Sequence, residues 1–176
     1  MDISNCQICS LYKNQTPSIN ILKKSDVMII GISSQKNKPD KIFSPLDPST
    51  NSGKFIISLE KYLPNKTFYK TNLTKCAPLN FQNKIRYPTS REINSCLPYL
   101  KQEIKITKPR IIIPLGKQAT TFFSKYFDIT LKKYHPTEYQ QIRIIPVDHP
   151  SYIMIYKRKQ LEQYKKKIVN LIKQNL

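Results

Sequence analysis

The stretch RIIIPLG, residues 110–116, decides the fold. Consecutive isoleucines that end at a glycine are typical of a strand that is buried on both faces inside a parallel sheet. Gly116 then opens a segment in which Ala119, Phe122 and Phe123 recur at helical spacing. Because a strand followed at once by a helix is the repeating unit of α/β proteins, this stretch predicts the centre of an α/β domain.

The same alternation of strand and helix continues on both sides of this stretch. Thr89 and Glu92 fit a capping box, which predicts that one helix begins there. The alternation predicts a single three-layer α/β/α domain, residues 1–176, around a central, mainly parallel four-stranded sheet. In such sheets, sites form beyond the carboxyl ends of the strands. The other predicted strands are residues 26–32, 68–73 and 142–147, and the other predicted helices are residues 52–63 and 157–176.

The charge of the chain indicates a polyanionic partner. Lys and Arg number 30 against 11 Asp and Glu, a formal net charge of +19 over 176 residues. Such an excess favours binding to DNA, single- or double-stranded, and the alternative is a lysine-rich surface that reflects AT-rich coding. Only three glycines are present, which excludes glycine-rich nucleotide loops.

The hydropathy of the chain argues against membranes and export. No apolar run approaches the roughly 20 residues of a membrane helix. The amino-terminal segment, residues 1–17, is polar and has no apolar signal core. We therefore expect an intracellular, DNA-associated protein that acts as a monomer, with a replication or repair protein as a further partner.

Four cysteines form a candidate metal site. Cys6 and Cys9 are a CxxC pair, and Cys76 and Cys96 each stand two residues before a proline. Four thiolates suit either a structural zinc ion or an iron–sulfur cluster. Ligands scattered after a single CxxC pair favour a [4Fe–4S] cluster over zinc. The alternative is two buried structural cysteines and an incidental CxxC pair.

The order of motifs resembles the uracil-DNA glycosylase superfamily, in particular its iron–sulfur branch, families four and five. The segment YKTNLTKCAP, residues 69–78, is similar to the family's ITNVVKCRP. VDHPSYIM, residues 147–154, resembles its HPAYLL motif, and residues 41–56 resemble its PFVGxAGxxL segment. The resemblance extends from the CxxC pair almost to the end of the chain.

The resemblance implies a role for each matching residue at the base. Asn72 would hydrogen-bond the uracil edge, because an amide offers an acceptor to N3–H and a donor to O4. Phe43 would stack on the flipped base, beside Gly31 and Ile32 of the first motif. His149 would contact O2 of the leaving base and stabilise its negative charge. Four cysteines would ligate the cluster: Cys6, Cys9, Cys76 and Cys96.

The resemblance also implies how the duplex is contacted. The segment that contains Ser151 and Tyr152 would enter from the minor-groove side. Ile153 or Met154 would be the wedge that replaces the extruded base. The cations that follow directly would bind phosphates: Lys157, Arg158 and Lys159.

One position departs from the family pattern. Ile32 stands where family four has the glutamate that orients or activates the hydrolytic water. Asp47, Asp40 and Asp148 are the candidates to replace that carboxylate. Three hypotheses remain: a glycosylase for uracil or another deaminated or modified base, a DNA-binding protein on the same fold with weak or no catalysis that acts in replication or recruitment, and a zinc-bearing basic module.

Overall fold

The computed structural model describes residues 3–176; residues 1 and 2, with which the predicted domain begins, lie outside the described residues. A 3₁₀ helix, Ser10–Lys13, precedes the sheet, and a second one, Arg158–Gln160, precedes the last helix. The strands are β1 Val27–Ser33, β2 Phe68–Thr74, β3 Ile111–Pro114, β4 Thr137–Tyr139 and β5 Ile142–Ile144. The helices are α1 Asn51–Glu60, α2 Ser90–Thr107, α3 Gly116–Phe127, α4 Pro150–Tyr156 and α5 Leu161–Asn175.

The sheet has the order β2-β1-β3-β5-β4. β1 pairs in parallel with β2 and β3, and β3 pairs in parallel with β5. Only β4 runs antiparallel, against β5. The prediction of a mainly parallel sheet is confirmed, and the carboxyl ends of β1 and β2 lie side by side.

Helices cover both faces of the sheet, which confirms the three-layer prediction. Alternate residues of β1 point to opposite faces: Val27 and Ile29 join one buried cluster, and Met28 and Ile30 join the other. The first cluster takes its other side chains mainly from α1 and α5, and the second from α2 and α3. The predicted capping box of α2 is present in full, with Thr89 and Glu92 bonded reciprocally.

The prediction of four strands is wrong by one, since the described residues form five. β4 and β5 are joined by Gln140 and Gln141, which both have positive φ, 48° and 67°. Two-residue hairpins of this kind normally carry Asn-Gly or Asp-Gly, so Gln-Gln gives no turn signal. The strand predicted at residues 142–147 is also shorter, because β5 ends at Ile144, before Pro146.

The carboxyl-terminal part contains one helix more than predicted. α4 begins with Pro150 at its first turn, and the side chain of His149 caps it by accepting from the amide of Ser151. The predicted basic tail helix is present as α5, with Tyr164, Ile168 and Ile172 buried. No helix within residues 3–176 combines the length and the apolar character that crossing a membrane requires.

Candidate active site

A cavity of about 650 Å³, its open mouth included, lies at the carboxyl edge of the sheet beside β1 and β2. It brings together residues that are up to 120 positions apart in the chain, from Gly31 to Ser151. Five of the residues predicted to bind the base or to act in the reaction line it: Gly31, Ile32, Asp47, Asn72 and His149. Its other lining residues are Ser33, Gln35, Ser44, Leu46, Thr50, Asn51, Ser52 and Ser151.

Asn72 presents a free amide to this cavity. It pairs in register with Gly31 across β1 and β2, and its side chain is 2% exposed. A Cβ at Gly31 would lie 2.3 Å from Asn72 Oδ1, so only glycine leaves room for the amide. Within residues 3–176 that amide has no hydrogen-bond partner. Both its donor and its acceptor are therefore available to a ligand.

A buried ion pair holds the strand end that carries Asn72. Lys75 Nζ donates to the main-chain carbonyl of Asn72 at 2.7 Å, to Thr71 Oγ1 at 2.7 Å and to Glu103 Oε2 at 2.7 Å. Glu103 also accepts from Tyr69 Oη and Thr71 Oγ1. The three ammonium protons are thus all used. Burial lowers the pKa of Lys75, and the charge of Glu103 opposes that shift.

His149 is held as a neutral imidazole at the cavity. Its Nδ1 accepts a hydrogen bond from the amide of Ser151 at 3.2 Å, which leaves the proton on Nε2. Burial lowers the pKa of His149 below its ordinary 6.5, because the charged form loses its hydration. Gly116, with φ +82°, packs beneath it, and a Cβ there would lie 3.0 Å from His149 Cβ. The site therefore offers a neutral N–H donor.

Asp47 is the only carboxylate among the described residues that line the cavity. Its oxygens accept from the amides and hydroxyls of Ser44 and Ser49, and Lys41 Nζ lies 3.4 Å away. These donors hold the pKa of Asp47 well below its usual range, although burial opposes them. Gly53 allows this turn to form, since a Cβ there would lie 1.8 Å from the carbonyl oxygen of Asp47. Asp47 is thus a fixed negative charge and a weak base.

The other two candidate carboxylates lie elsewhere. Asp148 accepts from Lys133 Nζ at 2.9 Å and from Tyr134 Oη at 2.5 Å, and it lines a different cavity beside α5. Asp40 is exposed in the loop before Lys41 and does not line the cavity. The prediction that Asp148 serves the reaction is corrected, because its partners hold it away from the base site.

Two further predicted side chains occupy places that the resemblance did not imply. Phe43 is 5% exposed and is absent from the cavity lining; Lys41 Nζ lies 4.8 Å from its ring. Ile153 is 3% exposed and belongs to the core between the sheet and α5. The prediction that Ile153 is a wedge is therefore corrected, because a side chain in the core is not available to enter DNA. Of the two predicted wedges only Met154 remains.

The remaining residues of the predicted DNA face lie on α4 or directly after it. Ser151 lines the cavity and shares a hydrogen bond of 3.0 Å with Ser52 of α1. Tyr152 is 43% exposed, and Lys157 and Arg158 are exposed at the end of α4. This arrangement places two cations beside the helix that begins at His149.

The four cysteines converge on one small cavity. Cys6 and Cys9 reach it from the amino-terminal segment, Cys76 from the loop after β2 and Cys96 from α2. None of the four is in a disulfide, and Tyr99 Oη donates to Cys6 Sγ at 3.3 Å. Burial and the neighbouring thiols raise the pKa of Cys76 to about 12. Over residues 3–176 no group of three or more ligands is placed to hold a single metal ion.

The sequence did not predict the buried ion pair that supports the site. Lys75 and Glu103 lie on different elements, and a buried ion pair leaves no periodic signal. Gln35 and Ser52 line the cavity, although neither was among the predicted site residues. One signal was present: each of the chain's three glycines abuts a residue of the site.

Comparison with known proteins gives consistent matches. The family described as the Uracil DNA glycosylase superfamily matches residues 20–173. The Type-4 uracil-DNA glycosylase of Sulfurisphaera tokodaii is 28% identical over 97% of this chain and 81% of its own. That of Archaeoglobus fulgidus is 25% identical over 93% and 84%. The crystal structure of wild-type Pedobacter heparinus SMUG2 superposes with a TM-score of 0.59 at 16% identity, over 86% of this chain and 76% of that one.

Proposed function

Because the chain belongs to the uracil DNA glycosylase superfamily, we propose that it excises uracil from DNA by hydrolysing the N-glycosidic bond of a flipped nucleotide. The product would be an abasic site. The observation that carries the proposal is the pairing, in one cavity, of a partner-free Asn72 amide with a neutral His149. Since its substrate is DNA, we propose that the protein acts inside the cell.

Asn72 supplies recognition of the base. Its amide oxygen accepts from N3–H of uracil and its amide nitrogen donates to O4. Cytosine presents the opposite pattern at both positions. Its N3 acceptor would face the amide oxygen, and its 4-amino donor would face the amide nitrogen. Lys75 keeps this amide in place by binding the carbonyl of the same residue.

His149 supplies stabilisation of the leaving base. As the glycosidic bond breaks, negative charge grows on O2 of uracil, and the Nε2–H of His149 donates to it. A donor aimed at developing charge contributes about 10²–10³ to the rate. Because burial lowers the pKa of His149, the imidazole is neutral at neutral pH and donates without carrying a charge of its own.

Asp47 supplies charge rather than proton abstraction. The sugar becomes cationic as the base leaves, and an ionised carboxylate at the cavity stabilises it. Its lowered pKa makes it a poor general base, and Ile32 offers none. An oriented general base is worth about 10²–10⁴ in rate, so we expect a slow enzyme.

The test is excision from an oligonucleotide panel that contains uracil, hypoxanthine, xanthine or a modified pyrimidine, followed by alkaline cleavage. Wild type should cleave the uracil strand, and the Asn72→Ala, His149→Ala double variant should not. Asn65→Ala and His135→Ala, which change exposed residues of the same types, are the matched controls. Binding of DNA with every base left intact would replace this proposal with a DNA-binding protein.

We further propose that the four cysteines hold a [4Fe–4S] cluster. All four cysteines line one cavity, and their spacing along the chain, two of them scattered after a single CxxC pair, favours a cluster over structural zinc. The cluster would join the amino-terminal segment to α2 and to the loop after β2. Protein purified without oxygen should be brown and contain iron and acid-labile sulfide. A folded, colourless protein with one zinc ion would overturn this proposal.

The DNA face is tested by the salt dependence of binding. Each phosphate contact contributes roughly −0.9 to the slope of log affinity against log salt. Changing Lys157 and Arg158 to Ala should flatten the slope, whereas changing Lys23 and Lys24, which precede β1 at the opposite edge, should not. Equal slopes in both variants would remove these residues from the DNA face.

We propose that one chain suffices, because the cavity is complete without a second. A repair or replication partner stays a prediction.

A further inference from the structure

A rigid hairpin between Cys76 and α2 presents the most exposed aromatic ring among residues 3–176. Leu79 and Ile85 form an antiparallel bridge, and Phe81 at the tip is 96% exposed. An isolated apolar ring in water contributes nothing to the core. A ring in such a place is available for binding.

Hydrogen bonds fix the shape of this hairpin. The side chain of Asn80 accepts from the amides of Gln82 and Lys84, and Asn83 takes positive φ, 61°, to close the turn. The main-chain amide of Asn80 also donates to the Lys84 carbonyl at 2.9 Å. Phe81 is therefore held out from an ordered turn.

The base of the hairpin is anchored on α2. Arg86 binds Glu92 through both guanidinium ends, at 2.6 and 2.9 Å, and donates to the carbonyl of Leu79 at 3.1 Å. The same carboxylate caps α2 through the amide of Thr89. Arg86 and Glu92 thus neutralise each other's charge. The exposed side chain of Lys84 therefore leaves the hairpin with a net positive charge.

The hairpin contacts the loop that leads into the base cavity. Lys36 Nζ lies 3.5 Å from the carbonyl oxygen of Asn83, and its neighbour Gln35 lines the cavity. Phe81 thus projects from a hairpin whose turn is joined, through Lys36, to the residue next to a cavity-lining one, and Lys84 adds a second cation to the same hairpin.

From this placement we infer that Phe81 stacks on an unpaired base next to the flipped nucleotide, so that the hairpin selects single-stranded or locally opened DNA. Every base has a face on which an aromatic ring can stack, and the lysines pair with the flanking phosphates. In an intact duplex the neighbouring bases are occupied by their partners. The inference rests on the proposed function, since the cavity must admit a base.

The experiment compares Phe81→Ala, Phe81→Leu and Phe81→Trp on a single-stranded uracil oligonucleotide and on the matching duplex. Removing one base–aromatic stack weakens binding by about 5- to 150-fold. We expect that loss on the single strand for Phe81→Ala and Phe81→Leu, little change on the duplex, and retention by Phe81→Trp. Ile21→Ala, at an apolar side chain that is 87% exposed, is the control. All variants should keep the wild-type melting temperature.

A fluorescent base reports the stack directly. 2-Aminopurine is placed at each of the three positions on either side of uracil, and at one of them binding of wild type should quench its fluorescence while Phe81→Leu should not. Equal binding and equal quenching by wild type and Phe81→Leu would overturn the inference, and would leave Phe81 as a contact for a protein. Failure of wild type to excise uracil would instead overturn the proposed function, because quenching requires no excision.

Discussion

Replacing Lys75 by methionine tests whether a buried ion pair supports the base-reading strand. The side chains of Lys75 and Glu103 are 1% and 0% exposed, and their charged atoms lie 2.7 Å apart. Lys75→Met keeps the length and most of the volume of the side chain but leaves Glu103 as a buried charge without its cation. Breaking such a pair costs about 3–5 kcal/mol. The Asn72 carbonyl loses its donor at the same time.

The assay is the melting temperature, with iron content matched between variants because Cys76 is adjacent. A loss of about 3–5 kcal/mol lowers the melting temperature of a chain of this size by roughly 6–20 °C. Lys70→Met is the matched control: Lys70 of β2 and Glu60 of α1 lie 3.0 Å apart, but their side chains are 21% and 27% exposed. Such a pair is worth about 0–1 kcal/mol.

A second substitution separates lost charge from lost packing. Glu103→Gln in the Lys75→Met background removes the unpaired charge and retains an acceptor for Tyr69 and Thr71. The double variant should therefore be more stable than Lys75→Met alone. The reasoning fails if Lys75→Met melts within a few degrees of Lys70→Met, or if Glu103→Gln brings no recovery.

Three further predictions concern the cavity itself. Gly31→Ala should abolish uracil excision in the alkaline cleavage assay, because its Cβ would lie 2.3 Å from Asn72 Oδ1, and activity equal to wild type would contradict the geometry. Of the two imidazole resonances in an NMR titration, that of His149 should titrate below pH 6.5, since burial favours its neutral form, and His135→Ala assigns the other; a midpoint above 6.5 would contradict the effect of burial. Asp47 should contribute stability that is present above pH 3.8 and is lost as the pH falls through its lowered pKa, so Asp47→Asn should show a smaller loss in acid unfolding than wild type.

The parts of the fold that could be predicted are those in which local pattern and burial agree. β1 and β3 are buried on both faces, so their sequences are continuously apolar and easily recognised. β4 is a three-residue edge strand whose burial pattern is only intermediate and exposed. Its turn at Gln140 and Gln141 has the geometry of a hairpin without the usual residues. Such an element depends on its partner strand more than on its own sequence.

The candidate site could be predicted where main-chain position decides the outcome. Asn72 lies near the carboxyl end of β2, and His149 stands between β5 and α4. The sheet carries both residues to the same edge. Asp148 is the neighbour of His149, yet Lys133 and Tyr134 draw its carboxylate to another cavity. Ile153 likewise turns into the core. The direction of a side chain depends on partners far away in the sequence, and no motif specifies them.

The surroundings of the three glycines indicate what the replacement of the family-four glutamate by Ile32 means for function. Gly31 makes room for the amide of Asn72, Gly53 for the carbonyl of Asp47 and Gly116 for the Cβ of His149. A Cβ at 31 or 53 would approach its neighbour to 2.3 or 1.8 Å, so each of these glycines is a steric requirement of the cavity.

These contacts concern the base and its leaving charge, and none of them concerns water activation. A protein that only bound the DNA backbone would have no need of a partner-free amide opposite a neutral imidazole. Under the proposed function, Ile32 therefore removes one catalytic group from a cavity whose other residues suit a base. The expected consequence is a rate lowered by about 10²–10⁴ with base recognition intact, so that excision by wild type, although slow, should still depend fully on Asn72.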